Sequence, residues 1–138
     1  MAKSMETGCG IYRLADEMEQ TCRELAQLKE RVQHVTLGDR AEGWNTEWLG
    51  LLELAYQLDV AQALAHSAAA RRESRGAHQR LDPGLTERDD EKFLKHTLAT
   101  YQRGGVPTIS WSDVTITKSK PGVRAYGAAG EAKEKTHA

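Results

Sequence analysis

Between Arg13 and about Val35 the apolar residues are Leu14, Met18, Cys22, Leu25, Leu28, Val32 and Val35. Their steps of three and four put them on one face of a helix, with charged residues opposite. This spacing predicts a helix over about 13–35. Thr36–Gly43 is polar and glycine-punctuated, a loop. Asn45 then reads as an N-cap, with Glu47 in the first turn where a negative charge suits the helix dipole. The helix it starts is predicted over 45–73, with Trp48, Leu51, Leu52, Ala55, Leu58, Ala61, Leu64, Ala65 and Ala68 covering a broad apolar face. The run of alanines in its second half implies close approach by another backbone. Residues 2–8 also read as helical, stopped at Gly8 by a Gly8-Cys9-Gly10 turn. A helix that short is marginal alone, below the roughly 12–15 residues needed in isolation. Either its start is frayed, or the chain has been cut from something longer.

After the long helices the pattern shortens. Gly76 ends the helical run, Pro83-Gly84 is a turn, and Thr86 with Asp89 resembles a capping pair for a helical turn over 87–91. Phe93–Tyr101 fits either period. The alternation in Val106-Pro-Thr-Ile-Ser-Trp-Ser-Asp-Val-Thr-Ile-Thr117 is that of a strand. A strand needs a partner, so a hairpin of about 93–101 and 106–117 is predicted around Gln102-Arg-Gly-Gly105. Residues 128–138 are rich in Ala, Gly, Lys and Glu and read as a disordered tail. The fold class is mainly α: an antiparallel, spectrin-repeat-like bundle of two long helices plus the short first one, with a C-terminal β-hairpin. One domain spans 1–127.

Charge narrows the partners. With 19 basic and 20 acidic residues the net charge is −1, without the basic excess that a nucleic-acid binder carries. Cys9 and Cys22 stand thirteen residues apart with no paired ligands, so reduced thiols are expected rather than zinc or a disulfide framework. The first residues lack the apolar core of a signal peptide. No run approaches the roughly 18–20 apolar residues that cross a bilayer. Direct membrane insertion is not expected, and a cytoplasmic location is.

Candidate chemistry concentrates in Glu73-Ser-Arg-Gly-Ala-His-Gln-Arg-Leu-Asp82 and the acidic cluster that follows. Arg75, His78, Arg80, Arg88, Asp89 and Asp90 could form an anion site, a proton relay or an ion-pair network. Between Arg71 and Lys92 six basic residues meet six acidic ones. That balance favours an ion-pair network, with arginine supplying bidentate geometry between chain segments. No nucleophile with its base and no phosphate-cradling glycine loop accompanies it, and His66, His78 and His96 lack metal-ligand spacing. Catalytic, cofactor-binding and metal residues are accordingly assigned to none of these positions. The six residues are read as structural or docking groups.

Met5-Glu-Thr-Gly-Cys-Gly-Ile-Tyr-Arg13, the 73–82 run, Thr86-Glu-Arg-Asp-Asp90 and Phe93-Leu-Lys-His-Thr-Leu98 together resemble the C-terminal domain of the fumarate reductase and succinate dehydrogenase flavoprotein subunit. Asn45-Thr-Glu-Trp48, Asp59-Val-Ala-Gln-Ala63 and Val123-Arg-Ala-Tyr126 fit the same family. The similarity is closest to its quinol:fumarate reductase branch. The resemblance implies a helical domain that packs on the flavin-binding domain of its own subunit. It also implies FAD in the parent subunit and none in this fragment. The covalent flavin histidine and the catalytic residues lie N-terminal to the matched region, so the parent interconverts fumarate and succinate while this segment alone is expected to be inactive. Partners implied are the iron-sulfur subunit and the membrane anchor, in a complex on the cytoplasmic face of the bacterial inner membrane. The alternative is a free-standing helical interaction module that uses the Arg/Asp cluster at 71–92.

Overall fold

A computed structural model describes residues 1–119 and Gly122; the expected tail and the Val123–Tyr126 motif lie outside the described residues. In order, the elements are α1 (Ala2–Cys9), β1 (Tyr12–Arg13), α2 (Ala15–Val32), α3 (Thr46–Ala70), β2 (Gln79–Arg80), α4 (Asp90–Phe93), β3 (Lys95–Thr100) and β4 (Thr108–Asp113). The helices form the antiparallel bundle, α1 against both α2 and α3, and the hairpin packs on α3.

The core lies where the 3.6-residue stripes meet. Leu25, Leu58, Ala61 and Ala65 are buried together, with Met5, Cys9, Cys22 and Leu28 packed around them. Of the alanines of α3, Ala61, Ala65 and Ala68 are buried. Both ends of the α2 stripe run out into solvent, since Leu14 and Val35 are exposed. Lys29 fastens the bundle to the hairpin loop: its Nζ donates to Gln62 Oε1 (3.1 Å) and the Gly105 carbonyl (3.4 Å). It also pairs with Asp59 Oδ1 at 2.7 Å as an ion pair.

Several local readings are corrected. Gly8 does not stop α1, which continues through Cys9, and neither Gly8 nor Gly10 has a left-handed backbone. Gly8 is buried against α2, where a Cβ would collide with Thr21 Oγ1 and lie 2.6 Å from the Glu17 carbonyl oxygen. The glycine is there for contact, not for turning. Asn45 caps α3 as expected, its Oδ1 accepting from Trp48 N at 2.8 Å. Asp89, not Thr86, caps α4, accepting from Lys92 N at 3.0 Å. β3 pairs with β4 antiparallel from Lys95↔Asp113 to Thr100↔Thr108, shorter at both ends than the alternation suggests. The parallel pair β1–β2, Tyr12↔Gln79 and Arg13↔Arg80, has too few residues for any periodicity to signal it.

Candidate functional site

α3 ends at Ala70, three residues short of the range its pattern suggests, because Arg71 turns extended (φ −83°, ψ 103°). That break frees the Arg71 carbonyl to accept from His78 Nε2 (3.0 Å) and Arg80 Nη1 (3.1 Å). The Arg71 side chain turns the other way. It donates to the carbonyls of Phe93 (2.8 Å) and Lys95 (2.7 Å) and to Thr97 Oγ1 (3.0 Å). Its guanidinium lies 5.1 Å from the Trp111 ring centre and 5.8 Å from that of Phe93. One residue thus clamps the hairpin to the helix end.

Glu73 is the centre of the cluster. Its side chain is fully buried and takes donors on both oxygens. Oε1 accepts from Arg71 Nη1 and from Arg75 Nε (2.7 Å). Oε2 accepts from Arg75 Nη2 (3.0 Å) and from the backbone N–H of Asp89 (2.8 Å). Burial alone would push this carboxyl up, but the arginine and backbone donors outweigh it and hold the group below its ordinary value. Arg75 Nη2 goes on to Asp90 Oδ1 (2.6 Å), whose second oxygen pairs with Arg88 Nη2 at 2.7 Å. Arg88 Nη1 reaches the Gly122 carbonyl (2.8 Å). The chain of charges therefore runs from the end of α3 across α4 to the C-terminal segment.

His78 belongs to a second group. Arg75 and His78 exchange backbone hydrogen bonds (2.9 and 3.0 Å) across a tight turn, which requires the positive φ of Gly76. The imidazole is buried. Arginine has no acceptor, so Nδ1 accepts from Arg13 Nη1 at 2.8 Å, and Nε2–H donates to the Arg71 carbonyl. Only the neutral ring satisfies both. Burial first, then the positive charges of Arg13, Arg80 and Arg71, holds its pKa below the ordinary value. A ring whose two nitrogens are both occupied within the chain is poorly placed for the proton-relay role. Arg13 also donates to the carbonyls of Cys9 (3.1 Å) and Gly10 (2.6 Å), closing the C-terminus of α1. Arg80 is 3% exposed; its Nε donates to Asp82 Oδ2 (2.7 Å), while Asp82 Oδ1 accepts from Ala15 N (3.0 Å) at the start of α2. Burial would raise the Asp82 carboxyl, but Arg80 and the Ala15 amide carry it below the usual range.

The six singled-out residues thus fall into two linked groups. Arg75, Arg88 and Asp90 form one ion chain, Asp89 joins it through its backbone and caps α4, and His78 and Arg80 meet at the Arg71 carbonyl. Four members were not singled out: Glu73, Arg71, Asp82 and Arg13. Glu73 is the only acid between Arg71 and Arg75 and could have been suspected on that ground. Arg13 could not, at 65 residues from His78. His96 sits in exposed β3, and His66 has a buried Nε2 with no partner among the described residues. Among those residues no group of three His, Cys, Asp or Glu is placed to hold a metal.

Comparison with known proteins places this geometry in a family. The family described as "Fumarate reductase flavoprotein C-term" matches residues 1–126, and the chain belongs to it. Within it, the chain is 54% identical over 136 residues to the fumarate reductase flavoprotein subunit of a Serratia species, covering 99% of this chain and 23% of that one. It is 31% identical over 117 residues to the succinate dehydrogenase flavoprotein subunit of Rickettsia conorii, covering 85% and 19%. Among solved structures, an E. coli quinol fumarate reductase superposes with a TM-score of 0.86 at 51% identity, over 90% of this chain and 21% of that one. The chain therefore spans about a fifth to a quarter of the length of these relatives.

Proposed function

We propose that this chain is the fastening domain of an FAD-dependent flavoprotein subunit that interconverts fumarate and succinate, holding its own fold rigid and docking on the flavin-binding domain without taking part in the chemistry. The observation that carries this reading is Glu73, buried with its donors drawn from Arg71, Arg75 and Asp89 of this same chain. A substrate clamp leaves cationic donors facing a cavity; here Arg75, His78 and Arg80 spend theirs on internal acceptors. Such buried networks fix one arrangement of segments more than they add stability. The flavin, the iron-sulfur subunit and the membrane anchor belong to the longer parent in this reading, with the complex peripheral on the cytoplasmic face of the inner membrane. Among the described residues no helix is long and apolar enough to cross a membrane.

Titration of the 138-residue chain with FAD, with an assay of fumarate turnover, tests the non-catalytic half. No saturable flavin binding and no turnover are expected; stoichiometric FAD or measurable turnover contradicts the proposal. For the docking half, Arg75→Ala in the complete subunit is expected to lower flavin loading and thermal stability. Unchanged loading and stability would count against it.

A further inference from the structure

α3 has only three charged side chains in its 25 residues, Glu47, Glu53 and Asp59. A helix apolar on every side is one that other structure covers. Yet its buried residues, Leu58, Ala61, Gln62, Ala65 and Ala68, all lie in its second half and on one side. Tyr56 and Val60 are each 68% exposed and Leu64 43%. These three, spaced by four, form one wall of a groove of about 450 Å³ whose other wall is Ala2 and Met5 of α1 and Met1 just before it. No charged side chain lines it. Ridges at a four-residue spacing are the surface on which a further helix packs.

We infer that this groove is the seat of an apolar helix from the polypeptide that precedes this segment in the complete subunit. The inference rests on the reading of the chain as part of a longer flavoprotein subunit. Two observations favour that occupant. The relatives are about four times as long and the matched family is their C-terminal part, so most of their polypeptide lies before it. Met1 and Ala2 themselves line the groove, so chain leading into α1 enters beside it and is held at the millimolar effective concentrations of a short tether. A second copy fits less well. Eight lining residues fall short of the roughly 20–30 a side in a stable untethered interface. The occupant fills the groove with side chains at i, i+3 or i+4 and i+7, and α1, α2, α3 and this helix form a four-helix layer.

Hydroxyl-radical footprinting of the complete subunit, expressed without its partner subunits, tests this. Side-chain oxidation at Tyr56 and Met5 is compared with the same subunit denatured, and neither flavin nor turnover enters the readout. Tyr56 is 68% exposed in this chain, so an open groove leaves its oxidation within about twofold of the denatured rate, whereas burial in an interface core slows it by about tenfold or more. That protection, independent of protein concentration, is the expected result. Three results would overturn the inference. Tyr56 could react as in the denatured subunit. Its protection could vanish on about 100-fold dilution, which assigns the groove to a second copy. Protection could also appear only when the other subunits are added, which assigns it to one of them. Failure of the fastening proposal would show instead in flavin loading and per-flavin rate, so the two are separable.

Discussion

Replacing Glu73 by glutamine keeps the shape of the side chain and one acceptor oxygen, and removes the charge. The residue is 1% exposed and receives three arginine donors and one backbone amide. With the charge gone, Arg71 and Arg75 face a neutral amide whose NH₂ opposes one of them. Breaking a buried pair costs about 3–5 kcal/mol when the surviving charge stays buried. Here Arg71 and Arg75 keep 14% and 27% side-chain exposure and regain some water, so about 3 kcal/mol is the reasoned value. For a domain of this size that lowers the melting midpoint by roughly 10–15 °C. Urea unfolding of the 138-residue chain, followed by circular dichroism, reads the change as a lower midpoint at constant slope. Glu73→Gln and Arg75→Ala share one network, so their effects should fall short of additive by at least about 1 kcal/mol. A loss below about 1 kcal/mol for Glu73→Gln, the range of exposed pairs, would refute the view that this carboxylate organises the cluster.

Two glycines should respond to the same substitution with opposite signs: Gly8→Ala, which meets Thr21 and the Glu17 carbonyl oxygen, destabilises by about 1–3 kcal/mol, whereas Gly50→Ala, in α3 with nothing within 4 Å, stabilises by about 0.5–1 kcal/mol; thermal melts of the pair decide. Trp44 is fully exposed at φ 58°, a strained conformation for a bulky residue, so Trp44→Gly should stabilise the chain by about 1 kcal/mol or more, and an unchanged or lower melting point would contradict this. His78 is held below its ordinary pKa by burial and then by the surrounding arginines, so below about pH 6.5 the unfolded chain takes up a proton that the folded chain refuses. Stability contributed by the neutral ring is whole above that pH and is lost as pH falls towards the depressed folded value. His66, lowered by burial, adds in the same direction. Denaturation midpoints at pH 7.5 and 5.5 should therefore differ less in His78→Gln than in the unsubstituted chain.

The helices were legible because periodicity is a local property and their stripes are long. Asn45 announced its cap in the same way. What was not legible depends on pairs distant in sequence. Arg13 meets His78, Asp82 meets the first turn of α2, and the two-residue strands β1 and β2 exist only through each other. Gly8 illustrates an ambiguity of residue type, since glycine serves both turns and close contacts and only the neighbouring helix tells which. At 71–92 composition showed that charges balance, and so pointed to an ion-pair network, but balance does not say which acid is buried. The place of Glu73 between Arg71 and Arg75 is its one signal in the sequence, and that signal does not mark a carboxylate as fully enclosed. Family motifs placed the chain, and the geometry supplied the centre.

The central claim is that the arginine–carboxylate cluster fastens and does not catalyse. The measurement that tests it most directly is the rate of fumarate reduction per bound flavin in the complete subunit, unsubstituted and Arg75→Ala. The account expects flavin loading to fall while kcat per flavin stays within about twofold. Full flavin loading with kcat per flavin reduced by 10²-fold or more, about the loss of an essential acid–base group, would contradict it and move Arg75 into the chemistry.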